Sequence, residues 1–160
     1  MKVITNLKPG YSFVVKLDPV FSFGKFNLEK NFDWVEPLIN DENFPKSKLE
    51  ESSNCRVMQV LKISDEELEK IPITLEDAEE TLKEKGFRPA DAFEAAAFYN
   101  QHPDVLELKI SVLALGSVWT NLKGDRFVPK VSGDHLGNYF QLNWANDPFP
   151  FFCNYLAVEI

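Results

Sequence analysis

The chain has 160 residues, and 17 Lys and Arg stand against 25 Asp and Glu, for a formal net charge of −8. A chain of this length buries roughly 70% of the surface its unfolded form exposes, enough for one domain with a real core. The 13% aromatic content, carried by 14 Phe, argues against disorder. The acidic balance disfavours nucleic acid and anionic membranes, because little here would neutralise phosphate.

Residues 1–54 are rich in chain breakers, among them Pro9-Gly10, Asp18-Pro19, Gly24, Pro37 and Pro45. Between these lie Phe13, Phe21, Phe23, Phe26, Phe32, Trp34 and Phe44. Residues 12–17 have the composition of a strand, and nothing reads as a long helix. So aromatic an extension must pack on the rest of the domain or on another subunit. Residues 40–54, acidic and polar around Pro45, read as the connection to the remainder.

The signals sharpen from residue 55, where a domain of residues 55–160 is expected to begin. Residues 56–63 form a strand. Ser64-Asp65-Glu66-Glu67 is a capping pattern, with room for a turn or two of helix before Pro72. Thr74 caps a longer helix, with Asp77 three residues on, an apolar face of Leu75, Ala78 and Leu82, and Gly86 as its stop. Asp91 and Glu94 cap a second helix, with Phe93, Ala96 and Ala97 as its buried side and Pro103 beyond its end. Residues 108–115 read as a strand buried on both faces. Lys123-Gly124-Asp125 is a turn into a strand over 126–131, where Pro129 implies an edge or a bulge. Two further strands are expected over 139–144 and 154–160. Strand, two helices, then several strands without βαβ alternation is an α+β pattern with a mainly antiparallel sheet.

The stretch Gly86-Phe87-Arg88-Pro89-Ala90-Asp91-Ala92-Phe93-Glu94, together with Ala114-Leu115-Gly116-Ser117-Val118-Trp119 and the closing Tyr155-Leu156-Ala157-Val158, resembles the C-type-lectin-like fold, in its formylglycine-generating and bacterial variable-protein branches. The same residues resemble an uncharacterised group of bacterial proteins with a Gly-Phe-Arg-Pro-Ala-Thr-x-x-Glu pattern, in which Asp91 replaces the Thr. The resemblance covers residues 57–160. It implies a first strand, two helices, and a loop-rich set of strands whose last member pairs back onto the first. It also implies binding through loops free to differ between relatives. The Arg residues usual near the closing motif are missing, and Cys55 and Cys153 do not map onto the cysteine pair of the formylglycine-generating branch. Trp144-Ala145-Asn146-Asp147 is similar to the Trp-Asn-Asp motif of calcium-dependent lectins with one residue inserted. Its companion loop is absent, so the stretch reads as an ordinary Asn-Asp-Pro turn.

Signatures of chemistry do not assemble. His102 and His135 lack zinc-ligand spacing, and no glycine-rich phosphate loop or Gly-x-Ser-x-Gly elbow occurs. Cys55 and Cys153 have no Cys-x-x-Cys spacing and read as buried, reduced thiols. Met1 to Asn6 lacks the apolar run of a signal peptide, and no stretch nears the roughly 20 apolar residues of a membrane span, so a cytoplasmic location is expected. No cofactor or metal is expected. Two loops combine large rings with amides and carboxylates, a composition suited to recognition. They nominate Trp119, Asn121, Asp125, Asn143, Trp144, Asn146, Asp147, Phe149 and Phe151 as ligand-binding residues. The expected class is a non-catalytic binding or interaction module that recognises a protein or other ligand through these loops, with a protein as the expected partner. The alternatives are a structural or assembly protein of a phage or multi-subunit particle, homo-oligomeric through its N-terminal segment, and a small-molecule enzyme.

Overall fold

A computed structural model describes residues 11–18, 22–45, 55–62, 74–149 and 154–160. Its elements in chain order are β1 (Ser12–Lys16), β2 (Trp34–Val35), β3 (Cys55–Lys62), α1 (Leu75–Glu84), β4 (Phe87–Pro89), α2 (Ala92–Gln101), β5 (Val112–Leu113), β6 (Trp119–Thr120), β7 (Arg126–Gly133), β8 (Asn138–Trp144) and β9 (Asn154–Glu159). The strands form one sheet in the order β1-β3-β9-β5-β7-β8-β2, with β4 added beside β9 and β6 beside β7. Pairing is antiparallel except for β2 with β8 and β5 with β9. The architecture is α+β, with helices packed on a large, mostly antiparallel sheet. None of the described helices is long and apolar enough to cross a membrane.

The sheet carries a core on each face. Leu75, Ala78 and Leu82 of α1 close over Leu113, Val128, Tyr155 and Ala157 on one face. Alternate residues of the same strands, including Val112, Val131 and Leu156, meet α2 and the N-terminal segment on the other. A two-residue period against a 3.6-residue period produces this division. Thr74 and Asp77 form the expected reciprocal cap of α1, and Gly86 ends it at φ 83°, a conformation open to glycine.

The second helix is buried all round. Every residue from Ala92 to Tyr99 is inaccessible, beyond the one-sided burial that Phe93, Ala96 and Ala97 suggest. The N-terminal segment is the reason. Phe13 meets Phe98 edge-on at 5.0 Å, Phe23 and Phe26 meet Phe93 at 6.0 and 5.0 Å, and Phe32 lies between Tyr99 and Phe140. The sheet covers one side of α2, and these rings cover the other. The same segment contributes both edges of the main sheet, β1 at one side and β2 at the other.

Three expected features are corrected. Residues 108–115 are not one strand: residues Pro103–Leu108 form a 3₁₀ turn, Lys109 takes a left-handed φ of 52°, and only Val112–Leu113 pairs. A proline at the first position favours a helical turn, while the apolar run serves burial on both faces as expected. Pro129 sits in the interior strand β7, not at an edge or bulge. Its carbonyl accepts from Ala114 N–H, so its ring nitrogen faces the same side, just past the last β5 pair of Leu113 with Lys130, and the one return bond it cannot make falls where that ladder stops. Cys55, expected to be buried, is exposed at the start of β3, because it shares the solvent face of that strand with Val57 and stands opposite the exposed Lys16 of β1. Cys153, residues 46–54 and the Ser64-Asp65-Glu66-Glu67 pattern lie outside the described residues. The part of the 40–54 connection that is described is a built turn, in which Asn40 Oδ1 accepts from Glu42 and Asn43 N–H.

The motifs quoted for the lectin-like resemblance meet at the start of α2. Glu94, 2% exposed, accepts from both guanidinium arms of Arg88 at 2.9 and 2.6 Å, from Arg56 Nε at 3.3 Å and from Asp91 N–H at 3.0 Å. Asp91 in turn caps Glu94 N–H at 2.7 Å. Ser117 Oγ accepts from Ala92 N–H at 2.7 Å, and Gly116 N–H donates to Ala90 O at 2.8 Å. A Cβ on Gly116 would stand 2.7 Å from the Ala90 backbone, so only glycine allows this approach. Ser117→Ala should therefore cost about 1 kcal/mol of unfolding free energy, as for other helix caps. Gly116→Ala should cost roughly 1–3 kcal/mol through overpacking. Urea titration of both variants checks the order.

Among the described residues, the Tyr99 hydroxyl is the only buried side-chain oxygen or nitrogen without a hydrogen-bond partner. Burial also pushes its pKa well above the tyrosine range. Tyr99→Phe should raise stability by about 1 kcal/mol, since the desolvated hydroxyl returns nothing. A loss measured by urea titration would mean that the oxygen has a partner.

Candidate functional site: an aromatic row at the hairpin end of the sheet

The β6–β7 and β7–β8 hairpins bring the nominated loops to one end of the sheet. Register fixes what lies there: Trp119 is opposite Phe127, and Phe127 is opposite Trp144. Cross-strand partners share a face, so the three rings form one row across three strands. Trp119 and Phe127 lie 5.5 Å apart at 34°. Trp119 leans on the α2-side core, Phe127 is half-buried, and Trp144 is 53% exposed. The row thus runs from core to solvent. Leu122 at the hairpin tip is fully exposed, and Val118 is exposed beside Trp119.

The polar residues nominated with these rings mostly hold the loops in shape. Asn121 Oδ1 accepts from Lys123 and Asp125 N–H at 2.9 and 3.0 Å, and its amide donates to Asp125 Oδ2 at 3.0 Å. Gly124, at φ 87°, completes that turn. Asn146 Oδ1 accepts from Arg126 N–H at 2.7 Å and ties the loop after β8 to the start of β7. Asn143 donates to Trp144 O at 2.8 Å. Asp147 is exposed at the bend that follows. Phe149 is 4% exposed and belongs to the α1-side core, so of the two described rings of this stretch only Trp144 faces solvent. Phe151 lies outside the described residues.

Arg126 links the row to α1 through Glu76, at 2.8 Å, and donates to Ala145 O at 3.4 Å. The Arg126 guanidinium holds the Glu76 carboxyl below its ordinary pKa. One turn on, burial pushes Glu79 up, with Glu76 adding to the effect. Both partners of the Arg126–Glu76 pair are substantially exposed, so the bridge orients more than it stabilises.

Phe127 was not nominated from the sequence. Its signal is turn symmetry: Trp119 and Phe127 are equally distant from Lys123, while Phe127 and Trp144 are equally distant from the His135-Leu136 turn. Elsewhere, an open groove of about 560 Å³ is lined in part by Phe26, Glu29, Glu36 and Asp41 of the N-terminal segment. Its carboxylates also serve the turns, Asp41 accepting from Phe23 N–H and Glu36 from Leu38 N–H. Among the described residues no three His, Cys, Asp or Glu gather as a metal set. His102 bonds to Val14 O at the end of α2, and His135 lies exposed in a turn.

Comparison with known proteins finds no matching family model, no matching curated protein and no matching solved structure.

The rings divide into core and surface, and stability separates them. Phe149→Ala should cost roughly 3–5 kcal/mol, as for a fully packed aromatic. Trp144→Ala should cost under about 1 kcal/mol, with half its surface already in water. Denaturation curves of the two variants make the comparison, and a severe Trp144 effect would place that ring in the core.

Proposed function

We propose that the chain is a non-catalytic binding module of C-type-lectin-like architecture that recognises a protein partner through the β6–β7 hairpin and the loop after β8. The aromatic row Trp119, Phe127 and Trp144 carries this reading. An exposed indole held at a strand end, in register with rings that lead back to the core, offers contact area at low entropic cost. The topology supports the lectin-like part: two helices separate the first strand of the 55–160 region, β3, from the closing strand β9, and these two strands pair antiparallel from Met58 with Val158 to Lys62 with Asn154. The acidic net charge favours a basic partner surface.

The assembly alternative drew on the N-terminal rings needing a second copy to bury them. Phe13, Phe23, Phe26, Phe32 and Phe44 are buried on their own chain, which takes that support away. Polar groups near the row are bonded to loop backbone and not gathered around a reacting centre, so no catalytic role is proposed for them.

The test compares capture by the immobilised wild-type chain with capture by Trp144→Ala and Leu122→Asp. Partners retained by the wild type should be lost or weakened at least tenfold by both variants, with the fold retained and stability lowered by no more than about 1 kcal/mol. Undiminished capture by both variants would defeat the assignment of this surface.

A further inference from the structure

The outer edge of β1 is closed by side chains and not by another strand among the described residues. Gln101, the last residue of α2, accepts from Lys16 N–H at 2.9 Å and donates to Lys16 O at 2.7 Å. Its primary amide thus meets both backbone groups of one residue, as a neighbouring strand does. His102 donates from Nε2 to Val14 O at 3.0 Å, with its ring held between Phe13 at 5.0 Å and Phe98 at 5.6 Å. These bonds show that the backbone of Val14 and Lys16 points away from β3. Residues 12, 14 and 16 share that direction, since strand backbone groups alternate sides.

We propose that the β1 edge is a strand-pairing site for a second copy of this chain, held closed by Gln101 and His102. Exposed edge strands pair with one another unless something blocks them, and this edge has the means. Val14, 59% exposed, stands opposite the exposed Val57 on β3, an apolar pair beside the edge. A two-fold contact is self-complementary. An antiparallel β1–β1 pair centred on Val14 places valine against valine and each Lys16 against Ser12 of the other copy, with no like charges opposed. Gln101 and His102 occupy the same backbone groups that such a partner needs. Closure and pairing are therefore mutually exclusive. The net charge of −8 on each copy opposes association, so pairing of an opened edge strengthens as salt screens that repulsion.

The test combines two designed substitutions with a third that blocks the edge itself. Gln101→Ala removes the amide, and His102→Phe keeps a ring between Phe13 and Phe98 while removing the donor. Sedimentation equilibrium of this double variant should give a dimer dissociation constant at least tenfold below that of the wild type, falling further at higher salt, with a native circular dichroism spectrum. Adding Val14→Pro removes an outward N–H and leaves the ladder to β3 intact, since Phe13 and Val15 face that side. The triple variant should return to wild-type association. The proposal is overturned if the folded double variant associates no more than the wild type, or if the triple variant associates as strongly as the double. Should the double variant unfold, Gln101→Ala alone, a change at an exposed side chain, must still raise association over the wild type, and failure there overturns the proposal as well.

Discussion

The Glu94 carboxylate ties together more of this molecule than any other group. It is buried at the first turn of α2, yet its oxygens meet Arg88 from β4, Arg56 from β3 and the backbone of Asp91 at the helix cap. A buried carboxylate without such partners costs far more than it returns, and one fully met fixes geometry rather than adding net stability. The geometry fixed here is the direction in which α2 leaves the sheet. With Arg88 on β4 and Arg56 on β3, the strands on either side of β9 are anchored to the same helix start. Ser117 and Gly116 then lock the chain after β5 onto that point, so sequence-distant motifs serve one junction.

A helix anchored in this way at its start can afford to be apolar along its length. From Ala92 to Tyr99 it has no solvent face, and such a helix needs cover on every side. The sheet gives half of that cover. The Phe-rich N-terminal segment gives the rest, and its two strands, β1 and β2, become the edges of the main sheet. The aromatic excess of residues 11–45 is thus the counterpart of the small, apolar surface of α2. Alanines at 92, 95, 96 and 97 let the backbone come close, and phenylalanines fill what remains. The end of the same helix delivers Gln101 and His102 to the β1 edge, so one element sets both the interior and a border of the sheet.

What could be read from the sequence follows the range of the interactions involved. Both helix caps were legible because Thr74 with Asp77, and Asp91 with Glu94, act over three residues. The strands over 126–131, 139–144 and 154–160 were legible from composition and turn residues. The strand over 108–115 was misread because an apolar run buried on both faces looks alike in a strand and in a tight turn, and Lys109 adopts a left-handed conformation that nothing local announces. Pro129 misled for a different reason: its cost depends on how far the neighbouring strand extends, a property of β5 and not of β7. The wrapping of α2 by residues 11–18 and 22–45 depends on contacts between positions far apart in the chain. For the candidate site, the rings at 119 and 144 could be named, but Phe127 joins them only through register, which one residue of slippage would undo. Phe149 was nominated with its neighbours because a loop sequence does not show which ring turns inward.

That division of labour bears on how such a surface would recognise anything. Asn121, Asp125, Asn143 and Asn146 spend their hydrogen bonds on the loops themselves. Amides used in this way cannot adapt to a partner, but they fix the positions of the rings before any partner arrives, and the ordering cost of binding falls accordingly. Binding at the proposed surface would then depend on shape and apolar contact around Trp144 and Leu122, with Arg126 already engaged by Glu76. Single exposed apolar residues are common and need no explanation. A register-aligned row that passes from the core to an exposed indole is different, because strand pairing fixes the order of its rings, and Trp119 and Phe127 pack on each other at 5.5 Å. Trp119 and Phe127 would give the proposed surface a packed inner end. The face of the sheet that α2 and the N-terminal segment cover is the one Trp119 leans on, so a rigid support would lie beneath the proposed surface.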